Sequence, residues 1–314
     1  MEHETRAVVH GSATLARLGD HTIGPMSDDL RRALDGVRAF VLDADGVLMY
    51  RNQPIPGSPE AVVELRRRGI PYRVVTNFSS AHRRTLAAAF GKATGLAVDG
   101  AEIITAASAA AAYTAAHHPG APLLVLAAPD ARREWAGQEL LSPDEADARA
   151  QPVGAVVIGD AGDDLTYRNL DIAYRQLRGG AEFVAMHRNP WWVTPKGYTL
   201  DAGALVAGLE FALGRRAVIC GKPSPVVFRQ AVAELRRELA ARSNGSGGAR
   251  LRIGEVAMVG DDPMADFAAS RRAGLRPFLA LSGKVTRAEA IAAGVPEGRL
   301  AEDLAMLLAA FRET

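Results

Sequence analysis

Two carboxylates follow directly on a short apolar run in the first fifth of the chain. The run from Phe40 leads into Asp43, and Asp45 and Gly46 come after it. A run of this kind predicts a buried strand, and side chains two residues apart in an extended chain point to the same side. Ligands of open α/β sheets bind beyond the carboxyl ends of the strands. One carboxylate could serve there as a nucleophile or metal ligand while the other transfers protons.

The alternative is a polar turn in which both acids are merely solvated. A D-x-D-G pattern alone does not separate the two interpretations, because short motifs often match by chance. Three more predicted strands also end in polar residues, however, and their types complement the two acids. These residues are Thr76 and Asn77, Lys222, and Asp261 and Asp262.

In a parallel sheet, all four strand ends face the same edge. That edge would offer several carboxylates, a hydroxyl with nearby backbone N–H groups, and one ammonium. Mg²⁺ binds in proteins through one or two carboxylates together with waters and phosphate oxygens, and a lysine offsets charge on a phosphoryl group during its transfer. Thr76 and the loop N–H groups could hold the phosphate. We therefore expect a site for magnesium and a phosphate together.

Each strand end also has a simpler interpretation. Thr76 and Asn77 could form an ordinary turn, and Lys222 could be a solvated side chain in a surface turn. Asp262 could be the N-cap of a helix near Ala265. The common position of these residues at the ends of predicted strands favours one site over a set of coincidences.

The elements around these residues alternate in a way that predicts a parallel sheet. After the first strand, Ser58 is expected to cap a helix with Pro59 at its first position, and Gly69 is expected to end it. A strand over residues 70–75 and a helix over residues 82–94 follow. Strands and helices that alternate with short connections are typical of a doubly wound, Rossmann-like α/β fold.

A second α/β unit is expected between the two halves of this core. Only 31 residues separate Asp45 from Thr76, whereas 145 separate Asn77 from Lys222. An extra domain therefore fits only in the second interval, where it would cover the catalytic edge as a cap. Its expected strands and helices span residues 123–127, 155–158, 164–178, 183–186 and 201–213.

The predicted organisation has four parts. We expect an N-terminal extension over residues 1–35, with a helix near residues 27–34 capped by Ser27. The core is expected over residues 36–106 and 215–314, and the cap over residues 107–214. A strand over residues 217–220 is thereby assigned to the core, and residues 243–249 read as a flexible connection.

A predicted loop over residues 187–197 of the cap carries the candidate specificity residues. Short loops at the catalytic edge would contact only phosphate and metal, so discrimination between substrates must come from the cap. The loop contains His187, Asn189, Trp191 and Trp192, and indoles offer a large apolar area with a single N–H donor. The alternative is that the tryptophans pack the junction between the domains.

Composition excludes several classes of function. The chain has 314 residues, 48% of them hydrophobic and 23% charged, which is ordinary for a globular protein. A net charge of +1 gives no basis for binding nucleic acid or an acidic membrane. The single cysteine, Cys220, excludes an intrachain disulfide and a cysteine-rich zinc site. The polar N-terminus and the absence of a long apolar run predict a cytoplasmic protein without a signal peptide or membrane span.

The ordered motifs resemble those of the haloacid dehalogenase superfamily, in its type IIA, NagD-like branch of phosphatases. The resemblance covers about residues 37–314, and it rests on four segments in the family's order. Two residues of the last segment depart from the family's pattern. The family often has Thr-Asp where this chain has Ala265 and Asp266, and it commonly has Asn where this chain has Asp262. The matching segments are DADGV at residues 43–47, VTN at residues 75–77, GKPSP at residues 221–225 and VGDDPMAD at residues 259–266.

The resemblance implies an α/β core with an inserted cap and an aspartyl-phosphate mechanism. Asp43 would attack phosphorus, and Asp45 would protonate the leaving oxygen and then activate water. Asp43, the backbone carbonyl of Asp45, and Asp261 would hold Mg²⁺. The phosphoryl group would be bound by Thr76, Asn77 and Lys222. Asp262 and Asp266 would support the metal ligands.

These observations predict a cytoplasmic, Mg²⁺-dependent hydrolase of a small organic phosphomonoester. The expected partner is a small-molecule phosphate ester, without nucleic acid or membrane, and we also consider a homodimer formed through the cap. A regulatory or scaffolding protein with vestigial phosphatase activity is the alternative, and the four complete motifs argue against it. The sequence leaves the substrate open among sugar phosphates, phosphoglycolate, pyridoxal phosphate and nucleotides.

Overall fold

The structure is a computed structural model, and it describes residues 28–50, 53–194, 197–242 and 250–311. The predicted N-cap Ser27, most of the predicted N-terminal extension and the predicted connection over residues 243–249 lie outside these ranges. No helix within the described ranges is long and apolar enough to cross a membrane.

A six-stranded parallel sheet forms the centre of the fold, in the order β15-β14-β13-β1-β4-β5. The first strand, β1, is completely buried and pairs with β13 on one side and β4 on the other. Its five residues are AFVLD, so the apolar run predicted from the sequence forms a strand that ends at the first carboxylate. The strands are β1 Ala39–Asp43, β4 Tyr72–Thr76, β5 Ile103–Thr105, β13 Val256–Gly260, β14 Arg276–Ala280 and β15 Leu300–Ala301.

Helices cover both faces of this sheet, because alternate side chains of each strand point to opposite sides. Val41 and Val75 pack on one face against α8 and against α4 (Ala106–His117), while Phe40 and Leu42 pack on the other against α1, α2 and α11. The core helices are α1 Asp28–Leu34, α2 Ser58–Arg67, α3 Arg83–Thr94, α8 Pro225–Arg242, α9 Ala269–Ala273, α10 Arg287–Ala292 and α11 Leu304–Ala310.

The second unit contains a five-stranded parallel sheet in the order β12-β9-β8-β6-β7. The chain enters it through α4 Ala106–His117, whose alanine-rich face is buried. The strands are β6 Leu123–Leu126, β7 Leu140–Leu141, β8 Ala155–Ile158, β9 Glu182–Ala185 and β12 Val218–Ile219. The remaining helices are α5 Pro143–Asp147, α6 Tyr167–Arg178 and α7 Ala202–Leu213. The predicted α/β fold, a doubly wound parallel core with an inserted α/β cap, is confirmed.

The assignment of the strand over residues 217–220 to the core was wrong. Strand β12 pairs with Val184 and Ala185 of β9, so it belongs to the cap sheet although it lies beyond the boundary expected at residue 214. The chain therefore returns to the core only after residue 219. Two residues are too few to show a periodicity that would assign a strand to one sheet or the other.

One predicted loop and one helix start also differ from the predictions. The predicted loop over residues 187–197 contains β10 Trp191–Thr194, which pairs antiparallel with β11 Gly197–Leu200. A shorter hairpin, β2 Met49–Tyr50 with β3 Gln53–Pro54, follows the first carboxylates. Ser58 is not the N-cap of α2, since Gly57 holds that position with φ 80°. The Ser58 hydroxyl instead donates to the carbonyl of Val47 at 2.7 Å.

Candidate active site

The candidate site lies at the carboxyl edge of the core sheet, where β13, β1 and β4 are neighbours. Asp43 is the last residue of β1, Thr76 is the last residue of β4, and Asp261 follows β13 directly. The sheet order brings these three residues to one edge, as the sequence predicted. Lys222 also reaches this edge, but it follows a strand of the cap sheet rather than of the core sheet.

Lys222 forms two buried ion pairs with the acids of the core. Its Nζ lies 2.6 Å from Asp43 Oδ1 and 2.8 Å from Asp266 Oδ1, and all three side chains are buried. Burial alone would lower the pKa of Lys222, but the charges of Asp266 and Asp43 outweigh it and raise that pKa. The lysine is therefore a permanent cation at neutral pH. Asp43 Oδ1 also accepts a hydrogen bond from Ala44 N at 2.8 Å, which fixes the plane of the carboxylate.

Asn77 holds the backbone of Lys222 with both ends of its side-chain amide. Its Nδ2 donates to the Lys222 carbonyl at 3.0 Å, and its Oδ1 accepts from the Lys222 N–H at 2.7 Å. A Cβ on the preceding residue, Gly221, would lie 2.7 Å from the same Oδ1, so glycine allows this close approach. The amide of Asn77 is thereby engaged by protein groups. The side chain therefore positions Lys222, and the phosphate contact predicted for Asn77 stays a prediction.

Asp43, Asp261 and Asp266 form a buried cluster that could hold a metal ion. One carboxylate oxygen from each lies within 4.8 Å of the others. Asp261 Oδ1 is buried, and no group in the described ranges donates a hydrogen bond to it, although the Lys284 ammonium lies 3.9 Å away. A buried carboxylate oxygen without a donor is costly unless a cation binds it, and carboxylates are the ligands that Mg²⁺ prefers. These residues therefore fit the metal that the resemblance implied.

The cluster adds the Asp266 carboxylate to the two side-chain ligands that the resemblance implied, Asp43 and Asp261. The backbone carbonyl of Asp45 stays a predicted ligand. Burial raises the pKa of Asp261 to about 6. Burial, together with the charge of Asp266, also raises the pKa of Asp43 well above its usual value, although Lys222 acts in the opposite direction. Three acids crowded around one lysine explain why a further cation would bind favourably here.

Asp262 points away from the cluster and caps the following turn. Its Oδ1 accepts hydrogen bonds from Met264 N and Ala265 N, both at 2.9 Å, and its Oδ2 accepts one from Lys284 Nζ at 3.2 Å. Burial alone would raise the pKa of Asp262, but these donors outweigh it and lower that pKa. The simpler interpretation of Asp262 as an N-cap is thus confirmed. Lys284, which the sequence analysis did not single out, also donates its backbone N–H to Asp261 Oδ2 at 3.0 Å.

Asp45 and Thr76 lie at the edge with polar groups available to a ligand. Asp45 is exposed, two residues beyond Asp43, in a turn closed by a hydrogen bond from Gly46 N to the Met49 carbonyl at 2.6 Å. The Thr76 hydroxyl oxygen accepts from Phe78 N at 3.2 Å, so its own proton can still be donated. Gly46 has φ 80°, and a Cβ there would collide with the Asp261 carboxylate. The turn after β1 therefore requires glycine.

The candidate specificity residues of the cap fall into two groups. Trp191 and Trp192 are 54% and 48% exposed on the β10–β11 hairpin, and Asn189 is exposed just before it. About half of each indole is therefore accessible to a ligand, and a role of the tryptophans in specificity stays a prediction. His187 is only 2% exposed, and protein groups engage both its ring nitrogens. Its Nε2 lies 2.9 Å from Ser79 Oγ, and its Nδ1 accepts from Asn189 N at 3.3 Å.

The sequence analysis gave no role to Ser79, although it lies three residues after Thr76 in a segment already noted for its polar residues. A partner 108 positions away is not visible from spacing alone. A cavity of about 740 Å³ lies elsewhere, between the start of α3 and residues 132–138 of the cap. It contains none of the residues at the sheet edge, so we assign it no part in the chemistry.

Comparison with known proteins agrees with this geometry. A family model described as haloacid dehalogenase-like hydrolase matches residues 40–140, and one described as HAD-hydrolase-like matches residues 219–307. The chain is 30% identical over 257 residues to a phospholysine phosphohistidine inorganic pyrophosphate phosphatase of Xenopus laevis, covering 80% of this chain and 85% of the relative. It is 28% identical over 259 residues to haloacid dehalogenase-like hydrolase domain-containing protein 2 of Bos taurus, covering 82% and 88%.

Two solved structures extend the similarity to the whole fold. The p-nitrophenyl phosphatase from Archaeoglobus fulgidus superimposes with a TM-score of 0.73 at 26% identity, covering 87% of this chain and 99% of its own. NagD from E. coli K-12 superimposes with a TM-score of 0.71 at 25% identity, covering 86% and 97%. The chain therefore belongs to the haloacid dehalogenase-like hydrolases, in the type IIA, NagD-like branch of phosphatases.

Proposed function

We propose that this protein is a Mg²⁺-dependent phosphatase that hydrolyses a small organic phosphomonoester through an aspartyl-phosphate intermediate. One observation carries the proposal. The Asp43 carboxylate ends a buried strand with Lys222 Nζ 2.6 Å away, inside a cluster with two further acids that could hold a cation. A nucleophile, a fixed positive charge and a metal site in one place are what phosphoryl transfer requires.

In the first step, an Asp43 oxygen attacks phosphorus and the bond from phosphorus to the leaving oxygen breaks. Ala44 N and Lys222 Nζ both bind Asp43 Oδ1, so Oδ2 is the attacking atom. Lys222 and Thr76 donate to the phosphoryl oxygens, whose charge they offset. When bound by Asp43, Asp261 and Asp266, Mg²⁺ would supply further positive charge beside the phosphoryl group.

Asp45 provides the proton transfers of both steps. It gives a proton to the leaving oxygen in the first step and takes one from water in the second, as a general acid and then a general base. The water oxygen bonds to phosphorus, the bond to Asp43 breaks, and inorganic phosphate leaves. Its exposure and its position two residues beyond Asp43 leave Asp45 free to face the leaving group.

The names of the relatives and the exposed residues of the cap support the proposed substrate class. The Archaeoglobus fulgidus protein is named for p-nitrophenyl phosphate, which is a phosphate ester and favours an ester as the substrate here. The Xenopus laevis relative is named for phospholysine, phosphohistidine and inorganic pyrophosphate, which are not esters, so these compounds belong in the substrate panel. Asn189, Trp191 and Trp192 are exposed on the cap and are our proposed specificity residues. The expected absence of nucleic acid and membrane partners, the cytoplasmic location and a homodimer through the cap stay predictions.

The test is turnover of p-nitrophenyl phosphate with Mg²⁺ and with EDTA, by the wild type and by Asp43→Asn. The substitution keeps the shape of the side chain and removes the attacking charge, so we expect a loss of at least about 10³-fold. Asp163→Asn is the matched control, because Asp163 is an exposed acid in a turn of the cap. A wild type without turnover would favour the regulatory or scaffolding alternative, and near-normal turnover by Asp43→Asn would overturn the mechanism.

A further inference from the structure

A buried hydrogen bond joins the cap to the loop that follows Thr76. Ser79 lies between β4 and α3 of the core, and His187 follows β9 of the cap. Their Oγ and Nε2 atoms are 2.9 Å apart, and the two side chains are 6% and 2% exposed. A polar contact this well shielded from water is strongly directional, because neither group can exchange its partner for solvent.

The contacts of the imidazole determine where its proton lies. Nδ1 accepts a hydrogen bond from Asn189 N, so Nδ1 carries no proton and Nε2 carries it. Asp201 Oδ1 is 3.7 Å from Nε2, which is too far for a hydrogen bond, and it already accepts from Ala202 N at 2.7 Å. Nε2–H therefore donates to Ser79 Oγ. Burial lowers the pKa of His187, which keeps the ring neutral although Asp201 and Asp160 act in the opposite direction.

This direction leaves the Ser79 hydroxyl with a proton to give. A hydroxyl has one donor hydrogen, and no protein group in the described ranges receives it from Ser79. The same loop contains Asn77, which binds the backbone of Lys222, and it begins at Thr76. The loop over residues 77–80 is therefore held at one end by Lys222 and at the other by His187, and it continues directly from Thr76, a proposed phosphate contact at the end of β4.

We propose that Ser79 donates its hydroxyl hydrogen to a phosphoryl oxygen of the substrate, and that His187 is a positioning residue that directs this hydrogen. The proposal rests on the proposed phosphatase function. It changes the role of His187, which the sequence analysis expected to contact the leaving group. Because both ring nitrogens bind protein, His187 has no donor or acceptor left for the substrate. It acts on the phosphoryl side, through Ser79.

The alternative is that the contact only fastens the cap to the core. A second buried contact of that kind provides a control. Glu134 of the cap accepts from Arg83 N at 2.6 Å and from Arg83 Nε at 2.8 Å, at the start of α3. Its side chain is buried, and it lies farther along the chain from Thr76 than Ser79 does. Glu134→Gln weakens the attachment of the cap without touching the loop over residues 77–80.

The experiment is a double-mutant cycle on Ser79→Ala and His187→Leu, with kcat/KM measured for esters whose alcohols differ in size and charge. A hydrogen bond to a charged group is worth about 10- to 100-fold, so we expect each single variant to lose about that factor equally on every ester. The inhibition constant of inorganic phosphate should rise by a similar factor. The double variant should be no worse than Ser79→Ala. Ser79→Thr keeps a hydroxyl and should retain most activity, while Glu134→Gln combined with Ser79→Ala should show independent effects.

Two results would overturn the proposal while leaving the phosphatase function intact. Losses at Ser79 and His187 that multiply in the double variant would show that they act separately. A loss in His187→Leu that depends on the alcohol would show that His187 meets the leaving group. A wild type that turns over no phosphate ester would instead overturn the proposed function, and this inference with it. Imidazole ¹⁵N shifts give a check independent of activity, since a protonated Nδ1 in the folded wild type would contradict the assigned direction.

Discussion

Replacing Lys222 with Met tests how strongly the acidic cluster depends on its internal cation. Met keeps the apolar length of the side chain and removes the ammonium that lies 2.6 Å from Asp43 and 2.8 Å from Asp266. All three side chains are buried, so water cannot replace the lost charge. One more carboxyl of the cluster must then take up a proton when the metal-free protein folds, because an unpaired buried carboxylate is more costly still.

The cost of that proton sets the magnitude. Starting from the ordinary aspartate pKa of 3.8, protonating one carboxyl costs about 4 kcal/mol at pH 7 and about 1.5 kcal/mol at pH 5, at 1.36 kcal/mol for each pH unit. We expect the free energy of unfolding to fall by these amounts in EDTA. The variant binds one more proton when folded than when unfolded, so its loss in the free energy of unfolding becomes smaller as the pH falls. Added Mg²⁺ should also reduce the deficit, since it supplies positive charge to the same acids.

The assay is urea unfolding of the wild type and the variant, followed by circular dichroism in EDTA at both pH values. Lys92→Met is the matched control, because it makes the same substitution at an exposed lysine of α3. Substitutions at exposed positions usually change the free energy of unfolding by less than about 0.5 kcal/mol, so this control should change little. A loss below about 1 kcal/mol for Lys222→Met, or an equal loss at both pH values, would refute the reasoning.

Three further predictions concern the metal site, the residue that positions Lys222, and the cap. Burial raises the pKa of Asp261 to about 6 and also raises the pKa of Asp43, and a metal binds the ionised forms, so Mg²⁺ affinity measured by calorimetry should fall at least about tenfold for each pH unit below 6; a constant affinity would exclude Asp261 as a ligand. Asn77→Ala leaves two backbone groups of Lys222 without their partner, which should lower the free energy of unfolding by about 1–3 kcal/mol and weaken inhibition by inorganic phosphate. Unchanged inhibition by phosphate would show that Asn77 does not position Lys222 for phosphate binding. Trp191→Ala and Trp192→Ala should change relative kcat/KM among natural phosphates about tenfold or more, and p-nitrophenyl phosphate less; a uniform loss on a substrate panel would contradict a role in specificity.

Strand ends were predictable because they depend on local pattern. The apolar run that ends at Asp43 and the polar residues after it follow from burial and sheet geometry, and the sheet order indeed makes β1 the neighbour of β4 and β13. The insertion of the cap between Asn77 and Lys222 was predictable from the number of residues between the polar strand ends. These inferences need no knowledge of which distant residues meet.

Partnerships across long separations were not predictable. Asn77 was recognised as polar and well placed, but its partner is the backbone of Lys222, 145 residues later, and spacing cannot show this. The contact between His187 and Ser79 could not be predicted for the same reason, because 108 positions separate the two residues. Ser58 shows that a prediction from local sequence can also be wrong. Serine is a favoured N-cap, but the Ser58 hydroxyl donates to the carbonyl of Val47 in the folded chain.

The stereochemical course at phosphorus tests the central claim most directly. The account requires two successive in-line displacements, first by the Asp43 carboxylate and then by water, and each inverts the configuration at phosphorus. A phosphorothioate ester whose two non-bridging oxygens carry different isotopes, hydrolysed in water labelled with the third oxygen isotope, should therefore give chiral inorganic thiophosphate with overall retention. This result does not depend on accumulation of the intermediate. Overall inversion would mean that water attacks the ester directly, and it would contradict the assignment of Asp43 as the nucleophile.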